Sequence, residues 1–224
     1  MLSADTEKKL FLLDAYALIY RAYFAFSKNP RINSLGQNTS AAFGFTNVLI
    51  DILKKEKPTH IAVVFDPPGG STQRKEDYIE YKANREAMPE DIRSMIPPIK
   101  DLVRAFNIEV IEVAGYEADD VIGTLTKFAE KNGFTTYMMT PDKDYAQLVS
   151  PSTYMFKPGR GGAPPQILGV KEVCEKFEIS HPMQVIDILG LWGDASDNIP
   201  GIPGIGPKTA SKLSGSTLMV IILS

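Results

Sequence analysis

The chain is poor in the side chains that most often mark chemistry: 224 residues hold one cysteine, Cys174, and two histidines, His60 and His181. A single cysteine excludes an internal disulfide. No N-terminal stretch joins basic residues to a long apolar run, so the expected setting is a reducing cytoplasm. No segment approaches the ~18 apolar residues of a membrane helix, so no membrane association is expected. Each histidine lies within two residues of a proline and reads as a surface residue. Positive charge is also in short supply, with 24 lysines and arginines against 27 acids and a net charge of −3. Taken as an average, that balance argues against a nucleic-acid footprint.

What the chain does have is a hydrophobic content of 44%, enough for a core in one large domain or a domain with a small appendage. Residues 9–13, Lys-Leu-Phe-Leu-Leu, read as an apolar strand ending on Asp14. Residues 15–26 then place Leu18, Ile19, Ala22, Tyr23 and Phe26 at helical spacing, with Tyr20 and Arg21 off the stripe. A polar loop leads to a second helix through Phe43, Val48, Ile52 and Leu53, closed before Pro58. Residues 61–65 form a second buried strand, and it too ends on an aspartate, Asp66.

Residues 67–98 are rich in proline, glycine and alternating charge and read as an exposed, partly helical excursion. A helix is expected over 99–106 and a strand over 108–113. The next helix opens with Gly115-Tyr116-Glu117-Ala118-Asp119-Asp120 and carries Ala118, Val121, Ile122, Leu125 and Ala129 on one face. A strand over 134–139 runs into Thr140-Pro141-Asp142-Lys143-Asp144. Beyond Ser150 the chain reads as looser, with a flexible loop over 159–165 and helices over 171–177 and 183–191. Asp194 and Asp197 follow. Strands alternating with helices predict an α/β fold, a parallel central sheet flanked by helices, with ligands beyond the carboxyl ends of the strands.

Nine acids occupy those ends and the segments after them: Asp14, Asp66, Glu117, Asp119, Asp120, Asp142, Asp144, Asp194 and Asp197. For Glu117, Asp119 and Asp120 two readings stand: acids of a helix's first turn that oppose its dipole, or metal ligands. Asp120 lies away from the apolar stripe and is the least directly placed. Asp142 and Asp144, two apart, would face one side if the chain were extended there. Oxygen ligands without histidine or cysteine select magnesium or manganese rather than zinc. Two groups of acids could hold two ions roughly 4 Å apart, which clamp the attacking and leaving oxygens of a phosphodiester and dispense with a histidine base. With nine carboxylates set aside, a net −3 becomes +6 for the remainder, so an acidic pocket inside a basic rim is compatible with the composition.

A second motif, Gly201-Ile202-Pro203-Gly204-Ile205-Gly206-Pro207-Lys208-Thr209-Ala210, reads either as a plain turn or as a hairpin whose backbone N–H groups meet a phosphate. Pro207 suits a first helical position, with Lys208 beside it. Such a hairpin grips duplex backbone without reading sequence.

These motifs together resemble the 5'-nuclease domain of bacterial DNA polymerase I and the wider flap endonuclease and 5'-3' exonuclease superfamily. The resemblance rests on VVFD at 63–66, YKANR at 81–85, GYEADD at 115–120, TPDKD at 140–144 and GDASDNIPGIPGIGPKTA at 193–210. It implies a PIN-like 5'-nuclease fold with a metal-dependent α/β domain over 1–170, a helical arch at about 67–98, and a helix-hairpin-helix-like DNA-binding segment over 171–213. By it, Asp14, Asp66, Glu117 and Asp119 match a first metal cluster and Asp142, Asp144 and Asp197 a second, with Asp119 between them. Asp120 and Asp194 match further acidic positions that act through water. Lys82 and Arg85 match cations at the foot of the arch that neutralise the scissile phosphate, and Arg74 is a further arch candidate. Tyr20 matches an aromatic on which a base stacks. Gly204, Ile205, Gly206, Lys208 and Thr209 match the duplex-gripping hairpin.

The resemblance implies a monomeric, magnesium-dependent structure-specific nuclease, with manganese able to substitute, that cuts DNA at a 5' end, nick or flap in replication and repair. A fused or associated polymerase and a nucleoid-associated, cytoplasmic place are implied with it. The rivals are a DNA-binding fragment without useful catalysis and an RNA-cleaving PIN-type nuclease. The departure from the family is the atypical tail over 214–224, where six consecutive apolar residues have the composition of an aggregation-prone strand. The expectation drawn from it is a natural domain interrupted after Leu213.

Overall fold

The computed structural model describes residues 7–159 and 163–216. In chain order the first elements are β1 (Lys9–Asp14), α1 (Ala15–Ala25), α2 (Ser40–Lys55), β2 (His60–Phe65), α3 (Thr72–Asp77), α4 (Glu90–Ala105) and β3 (Glu109–Glu112). Then come α5 (Ala118–Lys131), β4 (Thr135–Met139), a 3-10 turn (Lys143–Leu148), β5 (Thr153–Lys157) and β6 (Gln166–Leu168). The last are α6 (Val170–Phe177), a short 3-10 turn (Pro182–Gln184), α7 (Val185–Trp192), β7 (Gly193–Asp194), β8 (Ile199–Pro200) and α8 (Pro207–Ser216).

β1 sits in the middle of a six-stranded sheet ordered β3-β2-β1-β4-β5-β6. The first five strands run parallel and β6 closes the β5 edge antiparallel. Alternate residues of the central strands are buried on opposite faces, so the strands read as continuous apolar runs. Phe11, Leu13, Val63 and Phe65 pack with Phe45 and Leu49 of α2 and with Ile92, Ile99 and Val103 of α4. Leu12, Ala62, Val64 and Met138 face the other way, onto Ile122 of α5, Val173 of α6 and Ile188 of α7. Each such side chain contributes about 1.5–3 kcal/mol on burial, which lets the strand ends carry charge at a tolerable cost.

The structure corrects several expectations. The helix expected to start at residue 99 begins nine residues earlier, at Glu90, and runs through Pro97 and Pro98. Two prolines remove the hydrogen bonds to the carbonyls of Arg93 and Ser94, four residues back. Both prolines, Arg93 and Ser94 are on the exposed face, where those carbonyls are open to solvent, while Ile92, Met95, Ile99 and Val103 anchor the buried face. The excursion therefore ends near Pro89, not Pro98. Beyond Ser150 the chain is not simply loose, since it adds β5 and β6 to the sheet. In α2 the buried side is Ala41, Phe45, Leu49 and Ile52, and Phe43 points outward, 45% exposed. Asp142 and Asp144 are not on extended chain: Asp142 caps the 3-10 turn, accepting from Asp144 N at 3.1 Å. Both histidines are exposed. No helix among the described residues is long and apolar enough to cross a membrane. The apolar run at 218–223 lies outside the described residues.

Candidate active site

Parallel strands deliver their carboxyl ends to one edge of the sheet, and the register brings Asp14, Asp66 and Thr140 there together. Asp14 lies level with Val64, two residues before Asp66, and Leu13 lies level with Met139, one before Thr140. All three share the parity of the α5-facing side chains. Asp14 is buried and caps α1, accepting from Ala17 N at 3.2 Å and from Thr140 Oγ1 at 3.0 Å. Asp66 accepts from Ala118 N at 2.6 Å, which ties the first turn of α5 to the end of β2.

Glu117 is the N-cap of α5, and Asp120 completes a capping box by accepting from Glu117 N at 3.1 Å. The acidic first turn is thus both a cap and part of the cluster. Arg74, from α3, reaches across it: Nη1 donates to Glu117 Oε2 at 2.6 Å and Asp119 Oδ1 at 3.3 Å, and Nη2 to Asp120 Oδ1 at 2.6 Å. Lys82 Nζ donates to Glu117 Oε2 at 2.7 Å, and Tyr81 Oη to the same oxygen at 2.9 Å. Arg85 Nη2 donates to Asp197 Oδ1 at 2.5 Å. Lys143 Nζ donates to Asp194 Oδ2 at 2.6 Å and stands 3.4 Å from Asp144 Oδ1.

Asp14, Asp66, Glu117, Asp119 and Asp142 line a single cleft of about 830 Å³ together with Tyr20, Lys82 and Arg85. Asp120, Asp144 and Arg74 line an adjoining groove of about 660 Å³ that meets the cleft at Asp119 and Tyr145. Asp194 lies in a third hollow with Lys143 and Trp192, and Asp197 joins the cleft through Tyr81, Lys82 and Arg85. Gly204 has φ +82, a left-handed turn conformation, and α8 begins at Pro207 with Lys208 and Thr209 exposed in its first turn. Ile205 packs on the core beneath. The hairpin residues are thus apart from the acidic edge, joined to it by the chain from Asp194 to Gly201.

Burial, reinforced by the charge of Asp66, pushes the Asp14 carboxyl up to about 7. Burial and then Asp142 push Asp144 up to about 6. Asp66 and Asp119 are also raised by burial, with Ala118 N and Arg74 respectively pulling the other way. At Glu117 burial is outweighed by the Lys82 hydrogen bond, then by Tyr81 and Arg74, and the carboxyl titrates below its ordinary range. At Asp194 burial is outweighed by Lys143 and Ser196 in the same way. The edge is therefore a crowd of like charges held by four basic side chains, Arg74, Lys82, Arg85 and Lys143. Among the described residues no three acids, histidines or cysteines converge on one point as they stand. Yet the donor set consists of oxygens alone, and the buried Asp144 Oδ1 meets only the Lys143 ammonium, at 3.4 Å. Hard divalent cations fit such a set.

Tyr81, Thr140, Lys143 and Tyr145 were not singled out from the sequence as site residues. Tyr81 and Lys143 lie inside the YKANR and TPDKD motifs, a signal of position only. Thr140 also lies inside TPDKD, whereas Tyr145 carries no such signal until the fold places both of them on Asp14.

The family profile described as "5'-3' exonuclease, N-terminal resolvase-like domain" matches residues 9–178, and "5'-3' exonuclease, C-terminal SAM fold" matches 180–216. The chain belongs to the 5'-3' exonuclease family. As a member it is a nuclease, a hydrolase of phosphodiester bonds. DNA polymerase I of Bacillus subtilis is 43% identical over 207 residues, 92% of this chain but 23% of that protein. The 5'-3' exonuclease of Aquifex aeolicus is 38% identical over 203 residues, 91% of this chain and 68% of the other. The chain thus spans about a quarter of the polymerase relatives. A bacteriophage T5 flap endonuclease, solved as a pseudo-enzyme-product complex with DNA and metal ions, superposes with a TM-score of 0.75 at 20% identity, covering 92% of this chain and 74% of that one. Flap endonuclease-1 from Methanococcus jannaschii gives a TM-score of 0.61 at 21% identity, covering 94% and 71%. At these identities the likeness establishes the exonuclease fold.

Proposed function

We propose that this exonuclease-family chain is a magnesium-dependent, structure-specific 5' nuclease that hydrolyses DNA near a 5' end, nick or flap. The observation that carries the reading is the cleft in which Asp14, Asp66, Glu117, Asp119 and Asp142, from separate strand and helix ends, meet Tyr20, Lys82 and Arg85.

Asp14, Asp66, Glu117 and Asp119 would hold one cation, and Asp142, Asp144 and Asp197 a second, with Asp119 between them and Asp120 and Asp194 acting through water. Bound there, two such ions supply positive charge to the phosphate oxygens and lower the pKa of a water. Lys82 and Arg85 present cations to the scissile phosphate from the cleft wall, where charge develops in the transition state. Tyr20, half-buried at the cleft mouth, offers a ring on which a terminal base of any identity stacks. Arg74 neutralises Glu117, Asp119 and Asp120, charge that bound cations would share in balancing. Gly204, Gly206, Lys208 and Thr209 hold duplex backbone at the start of α8.

In this reading residues 1–170 perform the chemistry and 171–213 grip DNA, and 43% identity to a DNA polymerase I supports a role beside a polymerase in replication and repair. The test is a 5'-labelled flap incubated with the protein in magnesium, manganese or chelator, alongside the same flap in RNA. Metal-dependent release of the DNA 5' segment is expected. Product in chelator, or RNA cut at the DNA rate, overturns the proposal.

A further inference from the structure

The loop that bears Asp197 is fastened to the segment that bears Lys82 and Arg85 by an unbroken run of hydrogen bonds. Four consecutive carbonyls accept from it. Ala195 O takes Asn84 Nδ2 at 2.8 Å, Ser196 O takes Arg85 Nε at 3.3 Å, Asp197 O takes Lys82 N at 2.9 Å, and Asn198 O takes Tyr78 Oη at 3.1 Å. A fifth bond returns, Asn198 Nδ2 donating to Glu80 O at 2.8 Å.

Two residues in this clasp have left-handed backbones, Lys82 at φ 57 and Asn198 at φ 60. Such a conformation is uncommon outside glycine and persists where surrounding bonds over-determine it. At Lys82 the determining bond is its own N–H on Asp197 O, and the same residue sends its ammonium to Glu117. The orientation of the cation thus depends on a contact made by the neighbouring loop. That loop continues without a break into the hairpin, where Ile202 N donates to Leu191 O at 2.9 Å and Gly204 turns the chain toward α8. Only a few residues separate the element proposed to grip duplex from the element that orients Lys82 and Arg85.

We infer that the 195–198 loop is a coupling clasp, in which Tyr78, Asn84 and Asn198 are positioning residues that set Lys82 and Arg85 for cleavage when duplex seats the hairpin. None of the three bonds to an acid of the cluster; they act through the two cations. The inference rests on the nuclease reading above and adds to it the means by which duplex binding and the phosphate-facing cations communicate.

The test uses Tyr78→Phe, Asn84→Ala and Asn198→Gly, the last keeping the left-handed backbone while removing the amide. Trypsin cuts after Lys82 and Arg85, and its rate on the folded protein reports the clasp without any catalysis. Cleavage at these two bonds is expected to quicken in each variant, and to slow in the parent protein when a nicked duplex is added in chelator. In single-turnover flap cleavage with substrate pre-bound each variant is expected to be about tenfold slower, and duplex affinity is expected to fall as well, since a clasp that duplex steadies must in return favour duplex. Combined with Lys82→Ala, each is expected to add less than its own separate loss, because both act through one group. Unchanged tryptic rates, or losses that multiply fully with Lys82→Ala, overturn the inference. Should the parent protein lack nuclease activity, the tryptic measurements still decide the clasp, so the two readings fail separately.

Discussion

The Lys82 ammonium stands 2.7 Å from Glu117 Oε2 and 3.8 Å from Asp197 Oδ2, so one cation ties the N-cap of α5 to the loop after α7. With Glu117 nearly buried, this is a contact of low dielectric rather than a surface pair. Lys82→Ala should slow the chemical step by about 2–4 kcal/mol, the scale of a lost transition-state charge partner. Single-turnover rates with the substrate pre-bound measure it, and equal rates exclude the role.

Asp142 lines the main cleft and also caps the 3-10 turn of Lys143–Leu148. Asp142→Ala is expected to abolish cleavage while DNA binding stays intact or tightens, since a charge that repels phosphate is gone. The lost cap should cost about 1 kcal/mol of stability. Turnover at the parent rate would refute its place in the metal-binding set, and urea unfolding checks the cap.

The sign of the Asp14 shift sets a pH dependence. Its folded-state value of about 7 is above the ordinary 3.8, so the folded chain holds the proton more tightly than the unfolded one. Its contribution to stability is fully present below about pH 4 and is lost as pH rises through about 7. Asp14→Asn keeps the shape without the charge. In metal-free buffer at pH 8 it should be more stable than the parent by up to about 4 kcal/mol, with the gain gone at pH 4. Denaturant midpoints at the two pH values test this, and an equal gain at both overturns it.

Gly44 lets α1 and α2 approach: a Cβ there would lie 2.7 Å from Ala22 Cβ and 3.2 Å from Ala22 Cα. Gly44→Ala should destabilise by about 1–3 kcal/mol through overpacking, although alanine is the better helix former. A thermal melt decides, with a higher melting temperature counting against the packing argument.

Central strands were legible because burial on both faces leaves only apolar residues, as in Phe11-Leu12-Leu13 and Val63-Val64-Phe65. An acid directly after such a run stands out, and the expected placement of Asp14 and Asp66 at one edge followed from that, while Glu117 stood out through the acidic opening of the next helix. α4 was obscured because Pro97 and Pro98 are local stop signals, and only the tertiary anchoring of Ile92 and Met95 overrides them. β5 and β6 are short strands at one side of the sheet, and β6 alternates too little to be seen. The site's cations were legible as charges but not as partners. No spacing rule says that Arg74 would span Glu117 and Asp120, or that Lys143 would turn to Asp194. Those pairings depend on how α3 packs on the first turn of α5 and the 3-10 turn on β7.

The central position of β1 has a consequence for how the chain is made. Lys9 pairs with Thr135 on one side and Leu10 with His60 on the other, so β1, made before both β2 and β4, gains its second partner only when β4 is made. Pairings of such long sequence separation carry a large loop-closure cost and slow the folding of parallel sheets. Until β4 emerges, Phe11 and Leu12 have one unpaired strand edge beside them, the condition in which a nascent chain most needs protection from association. The acidic edge therefore begins to close only when Thr140 reaches Asp14, and Asp194 and Asp197 join it later still.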